Sequence, residues 1–241
     1  MYFNFLSTGS IGLLSMKRKF FSTTPDVPCR FCRFFSDNTK KNGINVPWLA
    51  NDHYAALVSV GALVPGWSLV CPIEHQLNLS QQYRKGEFWR FVTTVTDAIC
   101  QQYGEVRLFE HGAFSQDSTT GCGTGHAHLH IVPLEFSLIA ETLLCDPNIL
   151  WQSCFASEIL DISNGREYLF MADNYNADMS KGLVTILDSG ISQFFRRVIA
   201  NRLGLSEFFD YQHYPMLEMA EASAEELRNN LLKMQKKVSN F

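Results

Sequence analysis

The sequence has no surplus of basic residues: 20 Lys and Arg stand against 24 Asp and Glu, for a net charge of −4. That balance gives no global electrostatic case for a nucleic-acid partner. No apolar run approaches the roughly 20 residues that a membrane-spanning helix needs. No internal repeat or low-complexity tract interrupts the chain, and no secretory pattern accompanies its seven cysteines. Those thiols fit a reducing, cytoplasmic compartment, where a Cys-x-x-Cys pair binds metal more readily than it forms a disulfide. Residues 1–25 contain no acid and carry Lys17, Arg18 and Lys19 behind a weakly apolar start. A transit-like segment and initiation at Met16 both fit this stretch, and residues 1–28 are expected to form a poorly ordered tail.

What is present is bulk and one unusual array. With 241 residues and 46% hydrophobic content, the chain can bury a substantial core, so one domain plus an extension is expected. Near its middle, His126, His128 and His130 alternate with Ala127, Leu129 and Ile131. Composition alone would produce such an array with a probability below about 1%. Alternation of this kind marks a half-buried strand over His126–Val132, with Pro133 ending it. One face packs into a core and the other presents a row of imidazoles. A single metal cannot take all three. The outer two backbones lie roughly 13–14 Å apart, whereas a histidine reaches a metal only about 6–6.5 Å from its Cα. The three rings must divide the labour.

The run His126-Ala127-His128-Leu129-His130-Ile131-Val132 resembles the histidine triad signature, in which three histidines alternate with apolar residues. Pro65-Gly66-Trp67-Ser68-Leu69-Val70-Cys71-Pro72-Ile73-Glu74-His75 resembles the strand of that family that begins Pro-Gly-His and ends in histidine. Cys29-Arg30-Phe31-Cys32 resembles the Cys-x-x-Cys of its zinc-bearing members. The resemblance covers residues 29–134 and implies an α+β fold: an antiparallel sheet with a helix packed across it. Residues 135–241 would then form an α/β C-terminal extension that completes the fold and contributes to the substrate pocket.

The resemblance also implies roles. Cys29, Cys32, His75 and His126 would hold a structural Zn²⁺, and a Cys₂His₂ set leaves no open position for catalysis. Two ordinary thiols in a loop are the alternative, and Cys122 is a further candidate ligand. His128 would be the nucleophile towards the α-phosphorus of a nucleotide conjugate, forming a nucleotidyl-histidine that water hydrolyses. His130 would donate to the phosphate oxygens and assist the leaving group. A third histidine at this position goes with the hydrolase branches of the family. A nucleotidyltransferase or phosphorylase, or a lapsed nucleotide-sensing module, are the other readings. Homodimers are common in the family.

Candidate substrate contacts follow from neighbouring segments. The loop Gly121-Cys122-Gly123-Thr124-Gly125 can bring backbone N–H groups close to an anion, so Gly123 and Thr124 are expected at a phosphate. Ser59 stands where many relatives have an aspartate for ribose hydroxyls. Glu110-His111-Gly112 replaces the family's Asn-x-Gly, and Glu110 is expected to meet a substrate hydroxyl or cation, or to orient His111. Arg196 and Arg197 suit phosphate, with a solvated helix face as the alternative.

Strands are expected at 54–60, 67–72, 106–110, 167–174 and 183–188. A helix capped by Ser80 should run to about Gln102, burying Phe88, Phe91, Val92, Val95 and Ile99. A second helix is expected from Ile191 to Leu203, capped by Asp188 or Ser189. A third should open on the capping box Ser223-Ala224-Glu225-Glu226, with Leu227, Leu231, Met234 and Val238 on one face.

Overall fold

The computed structural model describes residues 29–36, 43–173 and 181–238. The expectations for the tail at 1–28, for the strand end at Asn174 and for the side chains of Met234 and Val238 lie outside the described residues. The strands are β1 (Leu49–Ala50), β2 (Tyr54–Val58), β3 (Ser68–Pro72), β4 (Val106–Gly112), β5 (Leu129–Pro133), β6 (Gln152–Phe155), β7 (Tyr168–Ala172) and β8 (Lys181–Ile186). The helices are α1 (Arg30–Ser36), α2 (Gly86–Tyr103), α3 (Leu138–Cys145), α4 (Ile159–Ser163), α5 (Phe194–Arg202) and α6 (Leu217–Val238). All the strands join one antiparallel sheet in the order β1-β2-β3-β5-β4-β7-β8-β6. The class is α+β. No helix among the described residues is long and apolar enough to cross a membrane.

Helices cover the sheet on both sides, which is why β2, β3, β4, β5 and β7 are buried along their whole length. On one face α2 and α6 pack over Val70, Leu108, Leu129, Ile131 and Phe170. On the other, α3 and α5 cover Phe109, Leu169 and Met171, while α1 covers Leu57, Leu69 and Cys71. Between α1 and α5 this second face is left open, and the histidines face that gap.

The hairpin β2–β3 closes through Ser59 N–H donating to the Trp67 carbonyl at 2.9 Å. Gly66 stands at φ +79°, and a Cβ there would collide with the Tyr103 ring. Helix α2 buries Phe88, Phe91, Val92, Val95 and Ile99, and Gly104 ends it at φ +89°.

Several boundaries differ from the sequence reading. Ser80 does not cap α2: its hydroxyl donates to Asn78 at 2.7 Å, and a 3₁₀ turn at Gln82–Arg84 precedes the helix. Helix α5 starts at Phe194, after Gln193 in the left-handed region, and not at Ile191. The capping box at Ser223 is interior to α6, and its hydroxyl instead accepts the Gly66 N–H at 3.0 Å. The ladder of β5 begins only at Leu129, because Ala127 N–H donates to the Gln76 carbonyl at 2.6 Å rather than to β3 or β4.

Candidate active site and metal cluster

Strand periodicity sorts the side chains around β5. His130 pairs with Leu69 of β3 and Phe109 of β4, so these three share the face that carries α1 and α5. His128, two residues earlier, takes the same side. The imidazoles are not a solvated row: His126, His128 and His130 are 2%, 7% and 6% exposed, so each orphan ring nitrogen needs a partner.

Those partners fix the tautomers. A carbonyl oxygen can only accept, so His128 Nδ1 carries a proton and donates to the carbonyl of His126 at 2.8 Å. Its Nε2 is therefore the unprotonated nitrogen. Indole N–H can only donate, so Trp67 Nε1–H donates to His130 Nδ1 at 3.0 Å, and His130 carries its own proton on Nε2. The His130 ring stacks on Phe109 with centroids 4.2 Å apart and lies 4.7 Å from the His128 ring. Burial pushes the pKa of both rings down; His128, His111 and Arg196 add to the effect at His130. A lone pair at one nitrogen thus stands beside an N–H donor at its neighbour, as nucleophilic attack on an oxyanion-bearing centre requires.

The cavity over these rings is lined on one side by Phe31, Phe34, Leu57 and Leu69, and on the other by His111, Arg196 and Tyr211. Arg196 on α5 is buried, donates to the carbonyls of Phe209 (2.9 Å) and Gly61, and lies 4.8 Å above the Trp67 ring. Burial lowers its pKa to about 10, so it remains charged at neutral pH. Ser59 lines the cavity, its hydroxyl donating to the Val60 carbonyl at 3.2 Å. Cys122 and Thr124 line it too, although the Thr124 hydroxyl is already turned to the Gly121 carbonyl at 2.8 Å.

Three of the expected contacts fall elsewhere. Glu110 points to the opposite face of the sheet, where its carboxylate accepts from Tyr83 (2.7 Å), Tyr168 (2.6 Å) and Leu79 N–H (2.7 Å). Burial raises its pKa to about 7 against the pull of those donors. It is a core anchor, not a substrate contact: residue parity puts His111 in the cavity and Glu110 behind it. Arg197 is exposed on the outer side of α5, its guanidinium 4.9 Å above Phe209. Gly123 is exposed at φ +73° beside Gln212, outside the cavity lining. Conversely, Tyr211, Phe31 and Phe34 line the cavity and sequence reasoning missed them, as it missed Trp67, which is fully buried behind His130 and positions that ring. Only Trp67 carried a signal, as the non-histidine in an otherwise matching Pro-Gly strand.

At the other end of the histidine run a separate cluster forms. One donor atom each from Cys29, Cys32, His75 and His126 lies within 4.8 Å of the others, so the four could hold a metal ion. His126 Nε2 donates to the Pro72 carbonyl at 2.8 Å, which turns Nδ1 towards Cys29 (3.4 Å) and Cys32 (3.6 Å). His75 Nδ1 is 3.3 Å from Cys32 Sγ. Fixing the ligand tautomer through the second nitrogen is how metal-binding histidines are held. Burial, then the neighbouring Cys29, pushes the Cys32 thiol up to about 11, a penalty that a bound cation removes. Cys122 is not part of the cluster; its thiol donates to the Thr120 carbonyl at 3.3 Å.

No family model and no curated protein matches the chain. Among solved structures it is similar to a Hit-like protein involved in cell-cycle regulation from Bartonella henselae, with 18% identity and a TM-score of 0.33 over 44% of this chain and 78% of that one. It is also similar to a hypothetical histidine triad nucleotide-binding protein from Sulfolobus tokodaii, with 14% identity and a TM-score of 0.35 over 83% and 94% of the two chains.

Proposed function

We propose that this chain is a histidine triad hydrolase that cleaves a nucleotide conjugate at its α-phosphorus, with His128 as nucleophile. The observation that carries this reading is the His128 Nδ1–H bond to the His126 carbonyl, which leaves Nε2 unprotonated beside the N–H of His130. In the first step Nε2 forms a bond to phosphorus. The bond to the leaving group breaks, its electron pair departs with that group, and solvent supplies any proton the group then needs. The nucleotidyl-imidazolium keeps its Nδ1–H, and the His126 carbonyl stabilises the positive charge. In the second step water adds to phosphorus and loses a proton to solvent, while the P–N electron pair returns to Nε2. The His130 N–H bonds to the phosphate oxygens throughout, where negative charge accumulates.

We assign the metal as zinc. Bonds of about 2.3 Å to sulfur and 2.0–2.1 Å to nitrogen put tetrahedral ligands roughly 3.3–3.8 Å apart, and the sulfur–nitrogen separations here are 3.3–3.6 Å. Four protein ligands make it structural.

The test is a panel of nucleoside phosphoramidates and dinucleoside polyphosphates, followed by mass spectrometry for released mononucleotide. A brief reaction with labelled nucleotide should leave the label on His128. His128→Ala should lose label and turnover together, whereas His130→Ala should slow turnover about 10²–10⁴-fold and still accept label. Label on His130 or on a cysteine, or turnover that survives in His128→Ala, sinks the proposal.

A further inference from the structure

Beyond the triad, the cavity contains a fourth imidazole. His111 is on β4, and the pairing of Phe109 with His130 sets which face it takes. Its ring lies 6.1 Å from the His130 ring and packs against Phe109 at 5.6 Å and Phe195 at 5.3 Å. The residue is 5% exposed and lines the cavity. Neither of its ring nitrogens has a hydrogen-bond partner among the described residues. Burial, helped by His128 and Arg196, drops its pKa to about 3, so the ring is neutral. A neutral imidazole carries one donor and one acceptor, and leaving both unmade in a buried place is expensive. Among Phe109, Phe195 and Leu169, an apolar ring would pack as well at lower cost, so packing does not account for this histidine.

Beside it stands the second oddity. Arg196 is 3% exposed, and no ion pair among the described residues involves it. Asp210 acts on it only from beyond ion-pair distance, so the buried guanidinium keeps an unpaired charge that an anion entering the cavity can meet. We infer that His111 is a substrate-contacting residue, whose ring N–H donates to an anionic phosphate oxygen in the half of the cavity where Arg196 supplies the charge. Its other nitrogen accepts from a ligand hydroxyl or a water that comes with the ligand. The choice of phosphate as the anion rests on the proposed triad reaction; the need for an external donor and acceptor does not.

Binding decides it without turnover. In the wild-type protein, ring ¹⁵N signals of His111 should shift on titration with inorganic phosphate or adenosine monophosphate. His111→Phe should weaken binding of the tighter ligand about 10- to 100-fold, the size of a hydrogen bond to a charged group. Its melting temperature should stay level or rise, since no protein hydrogen bond is lost. Arg197→Gln, outside the cavity, should bind as wild type does. Should His111→Phe fail to fold, the ¹⁵N titration and His111→Gln, which keeps a donor and an acceptor, carry the test. Unmoved His111 signals at saturation, no binding of either anion at millimolar concentration, or wild-type affinity in the phenylalanine variant overturns the inference. Loss of hydrolysis with His111 shifts intact would instead sink the proposed reaction alone.

Discussion

His126, His128 and His130 differ in what their second nitrogen meets, and that difference divides their chemistry. The Pro72 carbonyl accepts a hydrogen bond from His126 Nε2–H, the His126 carbonyl accepts one from His128 Nδ1–H, and Trp67 Nε1–H donates one to His130 Nδ1. Spacing in the sequence shows only that one metal cannot span all three rings; setting His126 apart from the other two rested on the resemblance. Spacing says nothing of tautomers, which depend on Pro72 and Trp67, residues that neighbour the run only through strand pairing. Glu110 shows the complementary failure: its charge suggested a ligand contact, and only its parity with Phe109 and His111 reveals that it faces the core. Its consequence is a pH dependence. The folded-state pKa of about 7 lies above the ordinary 4.5, so the native state binds more protons than the unfolded one between those values. The stability tied to the protonated carboxyl is therefore complete below about pH 4.5 and is lost as pH rises through 7, on the order of 3 kcal/mol in all. Buried histidines oppose this slope, so the comparison must be differential. Urea unfolding of wild type and Glu110→Gln from pH 4.5 to 7.5 should show the variant gaining on wild type as pH rises. A constant difference would mean that Glu110 does not titrate in this range.

The elements with strong periodicity were legible, and those held by something other than their own sequence were not. The hairpin β2–β3 and the stripe on α2 show in apolar spacing alone. Helix α1 has seven residues, too few to persist unaided in water; Phe31 packs on the rings of His126 and His128 at 5.5 and 6.0 Å, and Cys32 belongs to the metal cluster. Helix α3 hides behind a cap only the structure shows, the Ser137 hydroxyl accepting Ala140 N–H at 2.9 Å. The true start of α6 was concealed by a capping box whose serine serves Gly66 instead. Because α1 supplies Phe31 and Phe34 to the cavity and Cys32 to the cluster, the two sites share that element. Cys29→Ser should lower bound zinc on elemental analysis and speed amide exchange across residues 29–36. Its melting temperature should fall by roughly 5–10 °C, as for a loss of two or three kcal/mol in a chain this size. A variant that keeps its zinc and its melting curve would exclude Cys29 as a ligand.

At the scale of the whole chain, the boundary near residue 134 does not interrupt the sheet. β7 pairs with β4 along Leu108–Gly112, so removing everything after Leu134 would bare one edge of β4 and uncover Phe109 and Leu63. A fragment of residues 29–134 should be aggregated or molten by size-exclusion chromatography and near-UV circular dichroism, and a monomeric, cooperatively melting fragment would refute this. The composition indicated a substantial core, which the sheet divides between its two faces; it could not indicate that the site draws on both ends of the chain. Cys29 meets His126 across 97 residues, and Arg196 meets Gly61 across 135. Such separations have a consequence during synthesis. At about 5–20 residues per second, Cys29 and Cys32 emerge roughly 5–20 seconds before His126 can join them. Through that interval the nascent chain carries two neighbouring, unprotected thiols, with only part of their metal site yet made. Yield of metal-loaded protein should thus depend on the thiol redox poise of the cell in which it is translated, and not only on how much zinc that cell holds.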